Sequence, residues 1–206
     1  AGDCGCDECV SDMAYDIRNR MRSYRAQLAQ IGKPRIPIYM VLQAFYDPAI
    51  YWSRVPTPVE FKVMSYVSLI HGAKGLVSWL YPGNMDARLK QSIATLSAEL
   101  VPLASRFIIG GKQTLEYTNG NIVAGVWVRN ASKLFIIINI GSRPVMLTDA
   151  QIKDIFGDDG EVIGVVLTYG LYGHMNDVIL CEVGVIPGLS GISGSIEAST
   201  TEMIFK

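Results

Sequence analysis

The sequence predicts two structural parts, an α/β part over residues 1–105 and an all-β part over residues 106–206. In the first part, segments with helical periodicity alternate with short, almost continuously apolar segments. After about Arg106 the helical periodicity gives way to β-rich segments separated by turns. Alternating strands and helices are typical of parallel βαβ units, whereas short strands joined by turns are typical of antiparallel sheets.

The first predicted element is a helix over residues 10–31. Its apolar residues recur at spacings of three and four, and aspartate and arginine side chains occupy the other faces. Gly32 and Pro34 end the helix. The apolar positions are Val10, Met13, Ala14, Ile17, Met21, Tyr24, Leu28 and Ile31.

Two apolar segments, residues 36–45 and 76–80, predict strands that are buried on both faces, as in a parallel sheet. The helix between them begins with a capping box, in which Thr57 is the N-cap, Pro58 follows it and Glu60 is the third helical residue. A third helix is predicted from about residue 86 to residue 104. Because two parallel strands do not make a stable sheet alone, we expect further strands upstream or in another chain.

The second part predicts an antiparallel β-sandwich. Asn119-Gly120 is a strong signal for a hairpin between two of its strands. The sandwich interpretation follows from many short strands with turns between them. The predicted strands cover residues 113–117, 122–128, 133–140, 162–169, 178–186 and 200–205.

Composition and charge argue against several classes of protein. Half of the 206 residues are hydrophobic and 18% are charged, so a packed core is expected and disorder is not. The net charge of -1 argues against a nucleic-acid partner. No apolar run reaches the roughly 20 residues that span a bilayer. No signal peptide is recognisable and the first residue is not methionine, so we interpret the start as an interior cut point, or as a mature or fragmentary end, rather than a natural translation start.

Three of the four cysteines, Cys4, Cys6 and Cys9, lie close together near the start of the chain. In an oxidising compartment they would form disulfides, whereas in the cytosol they would suggest a zinc or iron–sulfur site. No fourth ligand lies nearby, because both His71 and His174 are remote in sequence. We therefore prefer disulfides and predict no metal and no cofactor.

A glycosylation sequon, Asn130-Ala131-Ser132, lies between two predicted strands, where a hairpin tip is expected. Together with the cysteines it favours a secreted, extracellular glycoprotein with a glycan on Asn130.

Three segments together resemble the end of a glycoside-hydrolase-type TIM barrel. They are Pro-Ile-Tyr-Met-Val-Leu-Gln-Ala-Phe (37–45), Arg-Val-Pro-Thr-Pro-Val-Glu-Phe (54–61) and Ser-Tyr-Val-Ser-Leu-Ile-His-Gly-Ala-Lys-Gly-Leu-Val-Ser-Trp (65–79). Residues 134–140 resemble the β-domain that trails many such barrels, and residues 3–9 would lie in the loop after strand six. The resemblance implies the last βα units of a TIM barrel followed by a β-sandwich.

The resemblance also implies a carbohydrate substrate at the C-terminal ends of the barrel strands. Sugar rings pack their C–H faces on aromatic side chains, and their hydroxyls need polar partners. The alternative is that the aromatic side chains only cap the barrel. The predicted substrate-binding residues are Gln43, Tyr46, Trp52, Arg54, Trp79 and Tyr81.

Hydrolysis of a glycosidic bond normally needs two carboxyl groups that flank it. Many similar barrel enzymes have a nucleophilic glutamate at the end of strand seven, where this chain has Gln43. Asp47 is the catalytic candidate here, although it could instead start a turn, and Glu60 is explained by the capping box. The other carboxylates are expected outside this chain.

The sequence therefore predicts a glycoside hydrolase, or a part of one, that acts on a poly- or oligosaccharide. The alternative is a non-catalytic carbohydrate-binding or structural protein on a barrel scaffold. A third interpretation is a metal- or redox-active protein that uses the three clustered cysteines.

Overall fold

The computed structural model describes residues 13–47, 49, 54–79, 85–130, 132–140, 148–156, 165–168 and 177–184. The chain divides into two compact units, Ala1–Val101 and Pro102–Lys206. The described strands form a parallel sheet in the first unit and an antiparallel sheet in the second. The two kinds of sheet are thus separated along the sequence, within a mixed α/β chain.

The first unit contains the helices and strands that the sequence predicts, in the predicted order. β2 begins earlier than expected, directly after Gly72, whose φ of 99° is a left-handed conformation that glycine adopts at little cost. The elements are α1 (Met13–Gln30), β1 (Ile38–Gln43), α2 (Pro58–Ile70), β2 (Ala73–Trp79) and α3 (Ala87–Leu103).

The capping box at the start of α2 is confirmed. The backbone N–H of Glu60 donates to Thr57 Oγ1 at 3.2 Å, and the Thr57 N–H donates to Glu60 Oε2 at 2.6 Å. Pro58 occupies the first turn, as predicted. Residues 60–70 of α2 are all buried, so it is a core helix rather than an amphipathic surface helix.

β1 and β2 pair in parallel and are joined through α2, which contacts both strands. This confirms the predicted βαβ unit. Met40 and Leu42 are buried, whereas Tyr39, Val41 and Val77 are exposed. The prediction that both faces of this sheet are buried is therefore wrong for the described residues. The helix α2 covers one face of the sheet, and no described residue covers the other face. The remaining barrel strands stay a prediction.

Only part of the predicted apolar stripe on α1 is buried. Ala14, Ile17 and Met21 are buried, and α1 contacts α2. Tyr24 and Ile31 are exposed instead. Leu28, in the same half of the stripe, is half-buried. The periodicity predicts the helix correctly, but the second half of the stripe is less buried than the first.

The third helix continues into a π-helix at its C-terminal end. Pro102 lies in the last turn of α3, and the π-helix spans Ala104–Ile109. The continuous segment Ala87–Ile109 is long and apolar enough to cross a bilayer, by length and composition alone. Core helices of soluble proteins meet the same two criteria. The absence of a membrane partner stays a prediction.

The described strands of the second unit form one five-stranded antiparallel sheet in the order β3-β4-β5-β7-β6. Asn119 pairs with Ile122, and Gly120 has a φ of 56°, so the predicted hairpin is confirmed. The strands are β3 (Lys112–Asn119), β4 (Ile122–Arg129), β5 (Ser132–Asn139), β6 (Val165–Thr168) and β7 (Asp177–Gly184). The last predicted strand, residues 200–205, lies outside the described residues.

The described strands of the second unit form a single sheet, which differs from the predicted sandwich of two sheets. An unpredicted helix, α4 (Asp149–Phe156), covers one face and packs Ile155 and Phe156 against Phe135 and Ile137. The π-helix contacts β3 and β4. Helices thus occupy positions in which a sandwich would place a second sheet, as far as the described residues extend.

Candidate functional site

The carboxyl ends of β1 and β2 lie side by side and form the candidate site. Gln43 is in register with Trp79, and the N–H of Ala44 donates to the Trp79 carbonyl oxygen. Parallel pairing brings both strand ends to the same edge of the sheet, as the sequence interpretation requires. Residues 43–47 and Trp79 therefore belong to one surface region, which we call the strand-end edge.

Two aromatic side chains are exposed at this edge. Tyr46 is 39% exposed and Trp79 is 50% exposed, whereas Ala44 and Phe45 between the strand and Tyr46 are buried. The burial of Ala44 and Phe45 anchors the backbone between β1 and Tyr46. A half-exposed aromatic ring offers an apolar surface on which the C–H face of a sugar ring can pack.

The Gln43 side chain holds together the loop that follows β1. Its Nε2 donates to the carbonyl oxygens of Phe45 at 3.0 Å and Arg54 at 2.9 Å. These bonds use the amide N–H groups to connect the strand end to the segment before α2. The amide has no ionisable group, so Gln43 cannot serve as the carboxylate nucleophile that many similar barrels carry there.

Arg54 and Glu60 form a bidentate ion pair beside the strand-end edge. Arg54 Nη1 lies 2.7 Å from Glu60 Oε2, and Nη2 lies 2.6 Å from Oε1. The Glu60 side chain is 3% exposed, whereas the Arg54 side chain is 55% exposed. Arg54 was predicted to bind sugar, and its guanidinium is held in place by a buried carboxylate.

The pKa of Glu60 is set by opposing effects. Burial alone would raise it, but the hydrogen bonds from Arg54 and from the Thr57 N–H, with the positive charge of Arg54, hold the pKa below its usual value. Glu60 is therefore a stable carboxylate. It anchors Arg54 and the helix start, so it is poorly suited to donate a proton.

Asp47 also makes a local structural contact. Its Oδ1 accepts a hydrogen bond from the Ala49 N–H at 3.0 Å, an arrangement typical of an aspartate that starts a turn. This is the turn interpretation that the sequence left open. Asp47 remains at the strand-end edge, and its catalytic role stays a prediction.

Several predicted site residues lie outside the described residues. They include Trp52 and Tyr81 among the predicted sugar-binding residues, and Cys4, Cys6 and Cys9 among the predicted disulfide residues. No group of His, Cys, Asp and Glu that could hold a metal occurs among the residues that the structure describes. The choice between disulfides and a metal site at the cysteines therefore stays open.

Asn130 lies far along the sequence from this site, at the end of β4. It is exposed and has a φ of 55°, as expected for an asparagine in a tight turn between two strands. Its glycosylation stays a prediction.

The sequence interpretation missed an exposed apolar surface on the same sheet, which we call the open face. It consists of Tyr39, Val41, Val77 and Trp79, whose exposed fractions run from 47% to 61%. Alternation along each strand places these residues on one side. The near-continuous apolar sequence hid this, because it predicted burial on both sides.

The sequence matches no protein-family profile, and no curated protein matches it significantly. Solved structures that are similar to the chain include two bacterial alpha-amylases. One is an alpha-amylase from Geobacillus thermoleovorans, complexed with acarbose, with 15% identity and a TM-score of 0.43 over 82% of this chain and 42% of that chain. The other is an Anoxybacillus alpha-amylase, with 11% sequence identity and a TM-score of 0.45. This match covers 86% of this chain and 47% of the amylase chain. This chain thus spans less than half of either amylase, and similarity at this level carries no conclusion about activity.

Proposed function

We propose that the chain binds carbohydrate at the strand-end edge, as part of a secreted glycoside-hydrolase-like protein. The observation that carries the proposal is the pair of exposed aromatic side chains, Tyr46 in the segment that follows β1 and Trp79 at the end of β2, the strand that pairs with β1. Aromatic rings beside fixed polar groups are the usual composition of a sugar-binding surface.

Arg54 supplies a polar group for the sugar hydroxyls. Its guanidinium is oriented by Glu60, and more than half of its side chain remains exposed. A donor that is already held in position loses little conformational entropy when a ligand binds. Tyr46 and Trp79 would then provide the apolar contact, and Arg54 would provide a directed hydrogen bond.

Binding without catalysis is the second candidate function. The two described carboxylates near the edge have structural contacts, Asp47 with the Ala49 N–H and Glu60 with Arg54 and Thr57. Glycoside hydrolysis needs an acid and a base or nucleophile. A hydrolase would therefore take at least one carboxylate from residues outside the described ranges or from another polypeptide.

Affinity electrophoresis of the full chain in gels that contain soluble polysaccharides tests the proposal. We expect at least one polysaccharide to retard the chain. Trp79→Ala and Tyr46→Ala should each weaken that binding by about fivefold to tenfold, since an aromatic contact contributes about 1–1.5 kcal/mol. Tyr24→Ala is the matched control, because Tyr24 is 41% exposed on α1 and makes no part of the edge.

Retardation by none of the polysaccharides would overturn the proposal, and so would an equal loss in the Tyr24→Ala control. The release of reducing ends from the polysaccharide that binds best separates the two candidate functions. Release that Asp47→Asn abolishes supports a hydrolase, whereas binding without release supports a carbohydrate-binding protein.

A further inference from the structure

The two sequence segments that form the strand-end edge carry few charged groups. Between residues 43 and 60 the charged side chains are those of Asp47, Arg54 and Glu60, and between residues 75 and 85 there is none. One arginine and two carboxylates give these segments together a formal charge of -1 at neutral pH. A ligand at the edge therefore meets a surface that is nearly neutral and slightly acidic.

Arg54 is the cation of this group, and Glu60 compensates its charge. Arg54 Nη1 lies 2.7 Å from Glu60 Oε2, and Nη2 lies 2.6 Å from Oε1. Nη1 also donates to the Val55 carbonyl oxygen at 3.3 Å. The pair thus presents a ligand with a dipole that has no net charge, rather than with an isolated arginine.

We propose that the strand-end edge selects uncharged glycans over acidic ones, and that Glu60 sets this selectivity through Arg54. The inference rests on the carbohydrate binding proposed above and names the class of glycan that binds. Glu60 acts as a positioning and charge-compensating residue, whereas Arg54, Tyr46 and Trp79 contact the sugar.

An acidic sugar would have to displace Glu60 in order to pair with Arg54. Its carboxylate would take the bidentate position that the two Glu60 oxygens now occupy. Because the Glu60 side chain is 3% exposed, displacement would leave a buried carboxylate without its arginine. Breaking a buried ion pair destabilises more than an exposed ion pair stabilises. A sugar hydroxyl has no charge that competes with Glu60 for the guanidinium.

The start of α2 keeps the Glu60 carboxylate in place. The Thr57 N–H donates to Glu60 Oε2 at 2.6 Å, and the Glu60 N–H donates to Thr57 Oγ1 at 3.2 Å. Burial raises the pKa of Glu60, but the hydrogen bonds from Arg54 and Thr57 and the charge of Arg54 hold the pKa below its usual value. The negative charge is therefore fixed beside the edge at neutral pH.

Matched pairs of polysaccharides test the selectivity. Soluble starch, xyloglucan and laminarin are used in native form and after oxidation of their primary hydroxyls to carboxylates. Binding to the full chain is measured by biolayer interferometry at low ionic strength. We expect each native polymer that binds to do so about fivefold more tightly than its oxidised form, because like charges repel near a protein surface.

Glu60→Gln should remove this preference. The change keeps the size of the side chain and leaves the charge of Arg54 uncompensated, so the ratio of native to oxidised affinity should fall to one or below. A merely structural role of Glu60 would weaken both forms equally and leave the ratio unchanged. Combining Glu60→Gln with Arg54→Gln should abolish the gain for the oxidised polymers. Asp154→Asn is the matched control, because it removes one negative charge from α4 in the second unit and should keep the wild-type ratio.

Asp47→Asn is a second variant, which removes a negative charge from the edge without changing the capping box. It should lower the ratio in the same direction, and it decides the test if circular dichroism shows that Glu60→Gln is unfolded. Oxidised polymers that bind wild type as tightly as native ones, or an unchanged ratio in the folded variant, would overturn the selectivity and leave carbohydrate binding intact. Binding of no polymer in either form would overturn the proposed function and this inference with it.

Discussion

The strand pairs β1–β2 and β4–β5 have similar apolar sequences but different surroundings. In the second unit, β4 is buried from Ile122 to Trp127 and β5 from Leu134 to Asn139, so side chains on both faces are covered. In the first unit, β1 and β2 bury one face and expose Tyr39, Val41 and Val77 on the other. An apolar strand is thus compatible with one or two covered faces, and only the packing of the whole chain decides between them.

The largest effect that we predict comes from the doubly buried pair. Trp127 is fully buried in β4, so Trp127→Ala should lower the free energy of unfolding by about 3–5 kcal/mol, through lost contacts and a cavity. Urea unfolding of the full chain measures this loss of free energy. Amide hydrogen exchange in β4 and β5 shows whether the loss is local to these strands.

A valine pair is the matched control for that comparison. Val126 is 5% exposed and Val77 is 47% exposed. Val126→Ala should therefore cost about 1–2 kcal/mol, and Val77→Ala should cost clearly less than half of that. Equal losses at the two positions would show that the open face is covered as well as β4 is.

An intermediate effect is expected from the ion pair in the first unit. Glu60→Gln should cost about 1–2 kcal/mol near neutral pH, because it weakens both the capping box and the contact with Arg54. Since the folded pKa of Glu60 lies below its unfolded value of about 4.3, the stabilisation is fully present above that pH. It is lost as the pH falls through the folded pKa.

The pH dependence of unfolding therefore identifies the contribution of Glu60. Wild type and Glu60→Gln should converge in stability once the pH has fallen below the folded pKa of Glu60, since a protonated glutamate resembles glutamine. Arg54→Lys keeps the positive charge but loses the bidentate geometry, so its loss should be smaller than that of Glu60→Gln. A stability difference that is independent of pH would contradict this account.

The sequence predicted those features that depend on neighbouring residues. The capping box of Thr57 and Glu60 and the Asn119-Gly120 turn follow from side chains a few residues apart, so a short segment determines them. The contact of Arg54 with Glu60 has a similar signal, a basic residue shortly before a buried helix start, which the sequence interpretation did not use.

Features that depend on distant segments were missed. The sequence interpretation missed α4, whose eight residues bury Ile155 and Phe156 against β4 and β5, two strands of the sheet that precede it in the sequence. The open face was missed for the same reason, because apolar residues in β1 and β2 do not record what covers them. At the candidate site, the sequence predicts that Gln43 and Trp79 lie close together, because parallel pairing places them side by side. The hydrogen bonds of the Gln43 and Asp47 side chains depend on how the loop folds, which the sequence pattern does not determine.

The smallest predicted effect sharpens the comparison at the open face. The Tyr39 ring occupies the space that a side chain at position 75 would need. Because Tyr39 is 61% exposed, the ring can turn toward solvent, and Gly75→Ala should change the free energy of unfolding by less than about 0.5 kcal/mol.

Gly111→Ala is the contrasting variant in the second unit. A Cβ atom there would lie 2.6 Å from the Phe107 carbonyl oxygen and 3.0 Å from that of Val128. Backbone atoms cannot move aside as a ring can, so this variant should cost about 1 kcal/mol or more. A larger loss for Gly75→Ala than for Gly111→Ala would mean that Tyr39 is confined.

The open face has a consequence for the solubility of the protein. β1 is an uncharged, six-residue segment without proline or glycine, and it presents Tyr39 and Val41 outward at one edge of a two-stranded sheet. These properties favour intermolecular strand pairing and aggregation. In concentrated solution β1 is accordingly prone to self-association, and any ligand or polypeptide that covers the open face would also raise the solubility of the protein.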